Sequence, residues 1–142
     1  MELTVERDVH AGTDRLWAVL ADPVDWPRWT RSVREIRLLD GDLAPGSRAW
    51  IVQPGLRPMV WTVTELVPGR ELTWTASAAG VVTTGRHSVR PGPGGTSRLR
   101  LGLEQRGVLA PVVQALFGRR SRRYVELEAD GLRRAAEADH PG

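Results

Sequence analysis

The side chains best able to do chemistry in this sequence lie at alternating positions of strand-like runs. In Val81–Arg90, the set Val81, Thr83, Gly85, His87 and Val89 shares one face, while Arg86, Ser88 and Arg90 share the other. His87 is thus an imidazole on an otherwise apolar face. Burial there disfavours its charged form unless a carboxylate is near, and a neutral ring can accept or relay a proton near neutral pH. Glu65, if its strand end points inward, or Glu128 on a later helix could supply that carboxylate. The structural alternative is a hydrogen bond from His87 to a helix side chain such as Tyr124.

Turn signals then choose the neighbours. Folding at Pro68-Gly69 sets Val63 opposite Trp74. Folding at Ala79-Gly80 sets Trp74 opposite Gly85 and Leu72 opposite His87. The Pro91–Gly95 turn brings His87 near Leu101 and Thr83 near Gln105. Met59, Trp61, Trp74, Thr83, His87 and Gln105 gather on one inner surface, and Tyr124 approaches it from the last helix. This surface is mostly apolar with a few polar groups, as a small-molecule site requires. The tryptophans serve equally well as core, and Gln105 equally well as a cap on a neighbouring backbone group.

Several chemistries lack their residues. There is no cysteine, and the histidines at 10, 87 and 140 have no metal-ligand spacing. No nucleophile elbow, P-loop or dinucleotide fingerprint occurs. Pro91-Gly92-Pro93-Gly94-Gly95 is a hairpin turn whose prolines lack the amide donors of a phosphate cradle. The expectation is a site with no metal and no cofactor, with His87 as its one candidate catalytic group.

The elements that must hold these residues follow from hydrophobic period. Glu2–Val9 reads as a strand. Thr13 is placed as the N-cap of a short helix carrying Leu16, Trp17, Val19 and Leu20, and Pro23–Trp29 is a second short helix or a tight corner. From Val33 the period becomes strand-like for six runs, the clearest being Met59–Leu66, Glu71–Ala78, Val81–Arg90 and Ser97–Arg106. After Gly107 the helical period returns. Leu109, Val112, Val113, Leu116, Phe117, Tyr124, Leu127, Leu132 and Ala135 mark one broad stripe of a long helix, with Gly118 a candidate kink. The predicted fold class is α+β: a curved antiparallel seven-stranded sheet around a long C-terminal helix, with two short helices after the first strand. Its cavity lies between sheet and helix.

Length and composition agree. The 142 residues suit one domain, read as 1–139 with a tail at 140–142, and 41% hydrophobic with 26% charged residues is an ordinary globular balance. All 20 basic residues are arginine, yet the formal net charge is only +3. Only Arg119-Arg120-Ser121-Arg122-Arg123 is dense. It reads as a solvated helix face, able to attract an anionic headgroup or carrier at the pocket mouth, and no specific nucleic-acid partner is expected. No apolar run reaches membrane-span length, Met1-Glu2-Leu3-Thr4 does not open as a signal peptide does, and the lack of cysteine favours a reducing, cytoplasmic setting. Oligomeric state stays open.

The run Leu16–Pro23 followed by Trp26-Pro27-Arg28-Trp29 resembles the N-terminal signature of the polyketide cyclase/dehydrase family, of the START-like (Bet v 1-like, SRPBCC) superfamily. Val63–Trp74, Gly46 opening a strand, Gly95-Thr96 before the last strand, and a closing helix with Leu132 and Glu137 extend the likeness over nearly the whole chain. The resemblance implies a helix-grip fold with a deep cavity. It implies no catalytic residue, because the family shares architecture more than chemistry. The leading expectation is a carrier or sensor for a hydrophobic or aromatic small molecule. The alternative is a cofactor-independent cyclase or dehydratase, and the third is a co-chaperone-like adaptor using the outer sheet face.

Overall fold

The computed structural model describes residues 2–78 and 80–138; the proposed tail and Ala79 of the expected turn lie outside them. The seven strands are β1 (Glu2–Val9), β2 (Glu35–Leu38), β3 (Arg48–Val52), β4 (Met59–Val67), β5 (Glu71–Ala78), β6 (Val81–Pro91) and β7 (Ser97–Arg106). They form one antiparallel sheet in the order β1-β7-β6-β5-β4-β3-β2. The chain therefore closes on itself: β1 adds to the last strand, not to β2. Between β1 and β2 lie helix α1 (Thr13–Leu20) and a 3₁₀ helix (Pro23–Arg28), and the sheet is followed by helix α2 (Ala110–Glu137).

Period-two burial holds on the central strands, with the buried Thr73 of β5 as an exception. Leu72, Trp74 and Ala76 of β5, Val81, Gly85, His87 and Val89 of β6, and Leu99 and Leu101 of β7 are buried on one face. The opposite face of β1, β6 and β7 carries ion pairs: Arg98 with Glu6 and Asp8, and Arg86 with Glu2 and Glu104. Hydrogen bonding and charge from Arg98 hold the Glu6 carboxyl below its usual range. A face of matched charges suits water better than a dry protein partner.

Three local expectations are corrected. Gly12, not Thr13, is the N-cap of α1, and no side chain caps it; Thr13 is already in the first turn. A bulge between Val63 and Glu65 shifts the β4 register, so Leu66 turns inward and Glu65 lies exposed. There the neighbouring Glu71 carboxyl, by hydrogen bonding and like charge, raises its pKa. The stripe on α2 also divides. Val125, Ala129, Leu132 and Ala136 are buried against the sheet and α1, whereas Leu109, Val112, Leu116 and Phe117 face solvent. Gly118 interrupts nothing; α2 runs through it.

One contact sets how closely α2 lies to the 3₁₀ helix. A Cβ on Gly131 would stand 2.5 Å from the Trp29 carbonyl oxygen and 2.6 Å from its ring. Only hydrogen fits there. Gly131→Ala is expected to cost about 1–3 kcal/mol by overpacking, despite alanine's better helix propensity. A thermal melt showing an equal or higher midpoint would refute this.

Candidate functional site

A cavity lies between the inner face of the sheet and α2. It encloses about 140 Å³, within a concavity of about 840 Å³ that includes its open mouth. Met59 and Trp61 of β4, Trp74 of β5, Thr83 and His87 of β6, Gln105 of β7 and Tyr124 of α2 all line it. The hairpin registers that gather them are those expected: Leu72 pairs with His87, Trp74 with Gly85, His87 with Leu101, and Thr83 with Gln105. Gly85 matters because its missing side chain receives an indole. A Cβ there would stand 3.3 Å from Trp74 and 3.8 Å from Trp61.

At the closed end sits His87, 5% exposed. Its Nδ1 lies 2.9 Å from the Leu72 carbonyl oxygen and its Nε2 lies 2.8 Å from Glu128 Oε1. A carbonyl only accepts, so Nδ1 carries a hydrogen and donates it. A neutral ring with that tautomer has a lone pair at Nε2, and a carboxylate oxygen at 2.8 Å needs a proton between them. Of the two carboxylates considered, Glu128 makes the contact. The structural alternative, a hydrogen bond from His87 to a side chain of the last helix, is thus met by Glu128, while the Tyr124 hydroxyl donates to the Pro54 carbonyl oxygen.

Aromatic rings fix the imidazole. The Trp26 ring centre is 5.5 Å from that of His87, and Trp74 meets His87 edge-on at 5.6 Å and 87°. Trp26 also packs on Trp74 and Trp29, at 5.5 and 5.6 Å, and Trp61 adjoins Trp74 at 6.2 Å. Tilted and edge-on arrangements at these spacings are those the ring quadrupoles favour. Nearer the mouth, the Thr83 hydroxyl and the Gln105 amide have no hydrogen-bond partner among the described residues. Both therefore remain available to a ligand.

Sequence reasoning missed Trp26 as a wall of the site. Its indole N–H donates to the Leu20 carbonyl oxygen at 3.2 Å, which swings the ring from the 3₁₀ helix into the cavity. No strand period reports on a side chain delivered by a corner. Gln53 was also missed, although it extends the inward set Ala49 and Ile51 by one more step of two. Ser121, Tyr124, Val125 and Glu128 reach the cavity with helical spacing, a signal present in the sequence once the helix is docked.

Fold and site together define a helix-grip protein with an aromatic-walled cavity. The family model described as polyketide cyclase / dehydrase and lipid transport matches residues 1–137, and the chain belongs to that family. Solved structures share the fold. A hypothetical protein, jhp0584, from Helicobacter pylori is 16% identical, with a TM-score of 0.82 over 96% of this chain and 88% of that one. The di-domain ARO/CYC BexL from the BE-7585A biosynthetic pathway is 22% identical, TM-score 0.74, covering 96% of this chain and 46% of that one. Norcoclaurine synthase from Thalictrum flavum is 14% identical, TM-score 0.73, covering 99% and 95%. No curated protein matches by sequence. No helix among the described residues is long and apolar enough to cross a membrane.

Proposed function

We propose that this protein binds a hydrophobic or aromatic small molecule between the sheet and α2, as a carrier or sensor, in the cytoplasm. The observation that supports this best is the cavity itself: indole walls from Trp26, Trp61 and Trp74, with unpartnered polar groups at Thr83 and Gln105. A space of about 140 Å³ is near that of engineered apolar cavities that take up benzene, which suits one or two fused rings. The ligand's flat part would lie between the indoles, and a carbonyl or hydroxyl would meet Thr83 or Gln105.

One observation favours a second reading, a cyclase or dehydratase. His87 and Glu128, hydrogen-bonded to each other, line a cavity that would fold a flexible polyketone. In that role Nε2 of His87 would leave Glu128 to take a proton from carbon next to a carbonyl, or to give one to a departing hydroxyl. Gln105 or Thr83 would hold the carbonyl oxygen as charge develops on it.

The test uses 2-naphthol as probe and native mass spectrometry to find a retained ligand. Tryptophan fluorescence should quench saturably at one equivalent. Thr83→Val or Gln105→Leu should each weaken binding about threefold to tenfold, the worth of one hydrogen bond. A linear, unsaturable response would overturn the binding reading. His87→Gln separates the two roles: a carrier keeps its affinity, whereas an enzyme loses turnover of its identified substrate while still binding it.

A further inference from the structure

The most unusual surface of the molecule is the first half of α2 and the turn before it. Val108 is 90% exposed, Leu116 70% and Val112 52%, and Leu109 and Phe117 are exposed beside them. Five large apolar side chains within ten residues of chain form a patch that solvent alone does not explain. Immediately beyond it come Arg119, Arg120, Arg122 and Arg123, all exposed. Between Gly107 and Val125 there is no acidic residue. Without these four arginines the chain has 16 basic residues against 17 acidic ones, a net charge of −1. The positive character of the protein is therefore concentrated on one helical segment.

The order along the helix matters. Val112, Leu116, Arg119 and Arg123 follow at i, i+4, i+7 and i+11, one stripe facing away from the sheet. The centre of the arginine group lies about 13 Å further along the chain direction than the centre of the apolar group, at about 1.5 Å per residue. An apolar tip followed by a basic collar is the order that sets apolar side chains in the acyl boundary and cations on the phosphates. Arg120 braces the collar by donating to the Gly55 carbonyl oxygen at 3.1 Å, and Arg57 in the same loop is exposed as well.

We propose that this surface docks the protein on an anionic phospholipid bilayer, tip first, with the apolar side chains below the headgroups and the arginines on the phosphates. A second copy of the chain fits poorly. A two-fold contact through the patch would crowd two sets of four arginines at one rim, with no acid on the segment to pair them.

The experiment is co-sedimentation of the full chain with vesicles of phosphatidylcholine alone and of phosphatidylcholine mixed with phosphatidylglycerol. Binding is expected only to the mixed vesicles and should weaken as salt rises. The triple variant Arg119→Gln, Arg122→Gln, Arg123→Gln should reduce partitioning on the order of 100-fold, from about fivefold per arginine near a charged surface. Leu116→Asp, at an exposed position away from the cavity, should abolish it while leaving the thermal midpoint and 2-naphthol binding unchanged. Equal binding to neutral vesicles, or indifference to both variants, would overturn the proposal. So would vesicle-free dimerisation abolished by Leu116→Asp, or retention only by an acidic protein.

Discussion

Trp26→Ala is expected to destabilise the protein by about 3–5 kcal/mol, the range for removing a large aromatic from a core. Trp26 is 1% exposed, and its ring is shared by two structural tasks. It closes the aromatic group with Trp29 and Trp74, and it forms one side of the slot that holds His87. Its indole N–H also ties the 3₁₀ helix to the end of α1 through the Leu20 carbonyl oxygen. Truncation therefore leaves a void beside the imidazole and a carbonyl without its donor. Collapse into that void is opposed by β5 and β6, whose backbones are fixed by ladder bonds on both sides. Urea unfolding checks the expectation, and a loss below about 1.5 kcal/mol would show that the site repacks. Any variant that survives should bind 2-naphthol with altered affinity, because the missing indole belongs to the same wall.

The second large effect concerns His87 and Glu128 as a unit. His87→Leu leaves a carboxylate facing an apolar end, and Glu128→Leu leaves Nε2 without a partner in a ring that is 5% exposed. Each single change should cost about 2–3 kcal/mol, below the range for fully enclosed pairs because the Glu128 side chain keeps 16% exposure. The double change to leucine removes both polar groups together and should recover most of the loss, to a cost of about 1 kcal/mol, which is a coupling of about 4 kcal/mol. Additive losses in the cycle would mean that the two residues act separately. The double variant should also discriminate the proposed roles. If the pair serves only to hold the fold, ligand binding survives its replacement by leucines; if it meets the ligand or moves its protons, stability returns and function does not.

The fold was legible because two periods and a set of turns agreed. Alternation in β5, β6 and β7 gave inward faces that the structure keeps, since a one-residue slip would turn every leucine to water. The β5–β6 and β6–β7 connections are short and local, so the pairings that place His87 between Leu72 and Leu101 were readable from spacing alone. The register failed only at Thr64, where a bulge adds a residue with no distinctive chemistry of its own. The helix stripe failed for a different reason. At about 100° per residue, Val112 and Leu116 lie across α2 from the buried Val125, Ala129 and Leu132, so one stripe could not hold both groups. Val112, Leu116 and Phe117 meet solvent.

By itself, then, the sequence determined the element order, the antiparallel sheet around a terminal helix, and the six strand residues of the expected wall, because those depend on local turns and on the two-residue period. Tertiary structure alone decided three things. It chose Glu128 as the partner of His87, carried Trp26 into the cavity from a corner, and turned Val112 and Leu116 to the face of α2 away from the sheet. Each depends on the angle and height at which non-neighbouring elements dock. That geometry comes from packing at close approaches such as Gly131 on Trp29 and Gly85 on Trp74, contacts between residues that no local spacing connects.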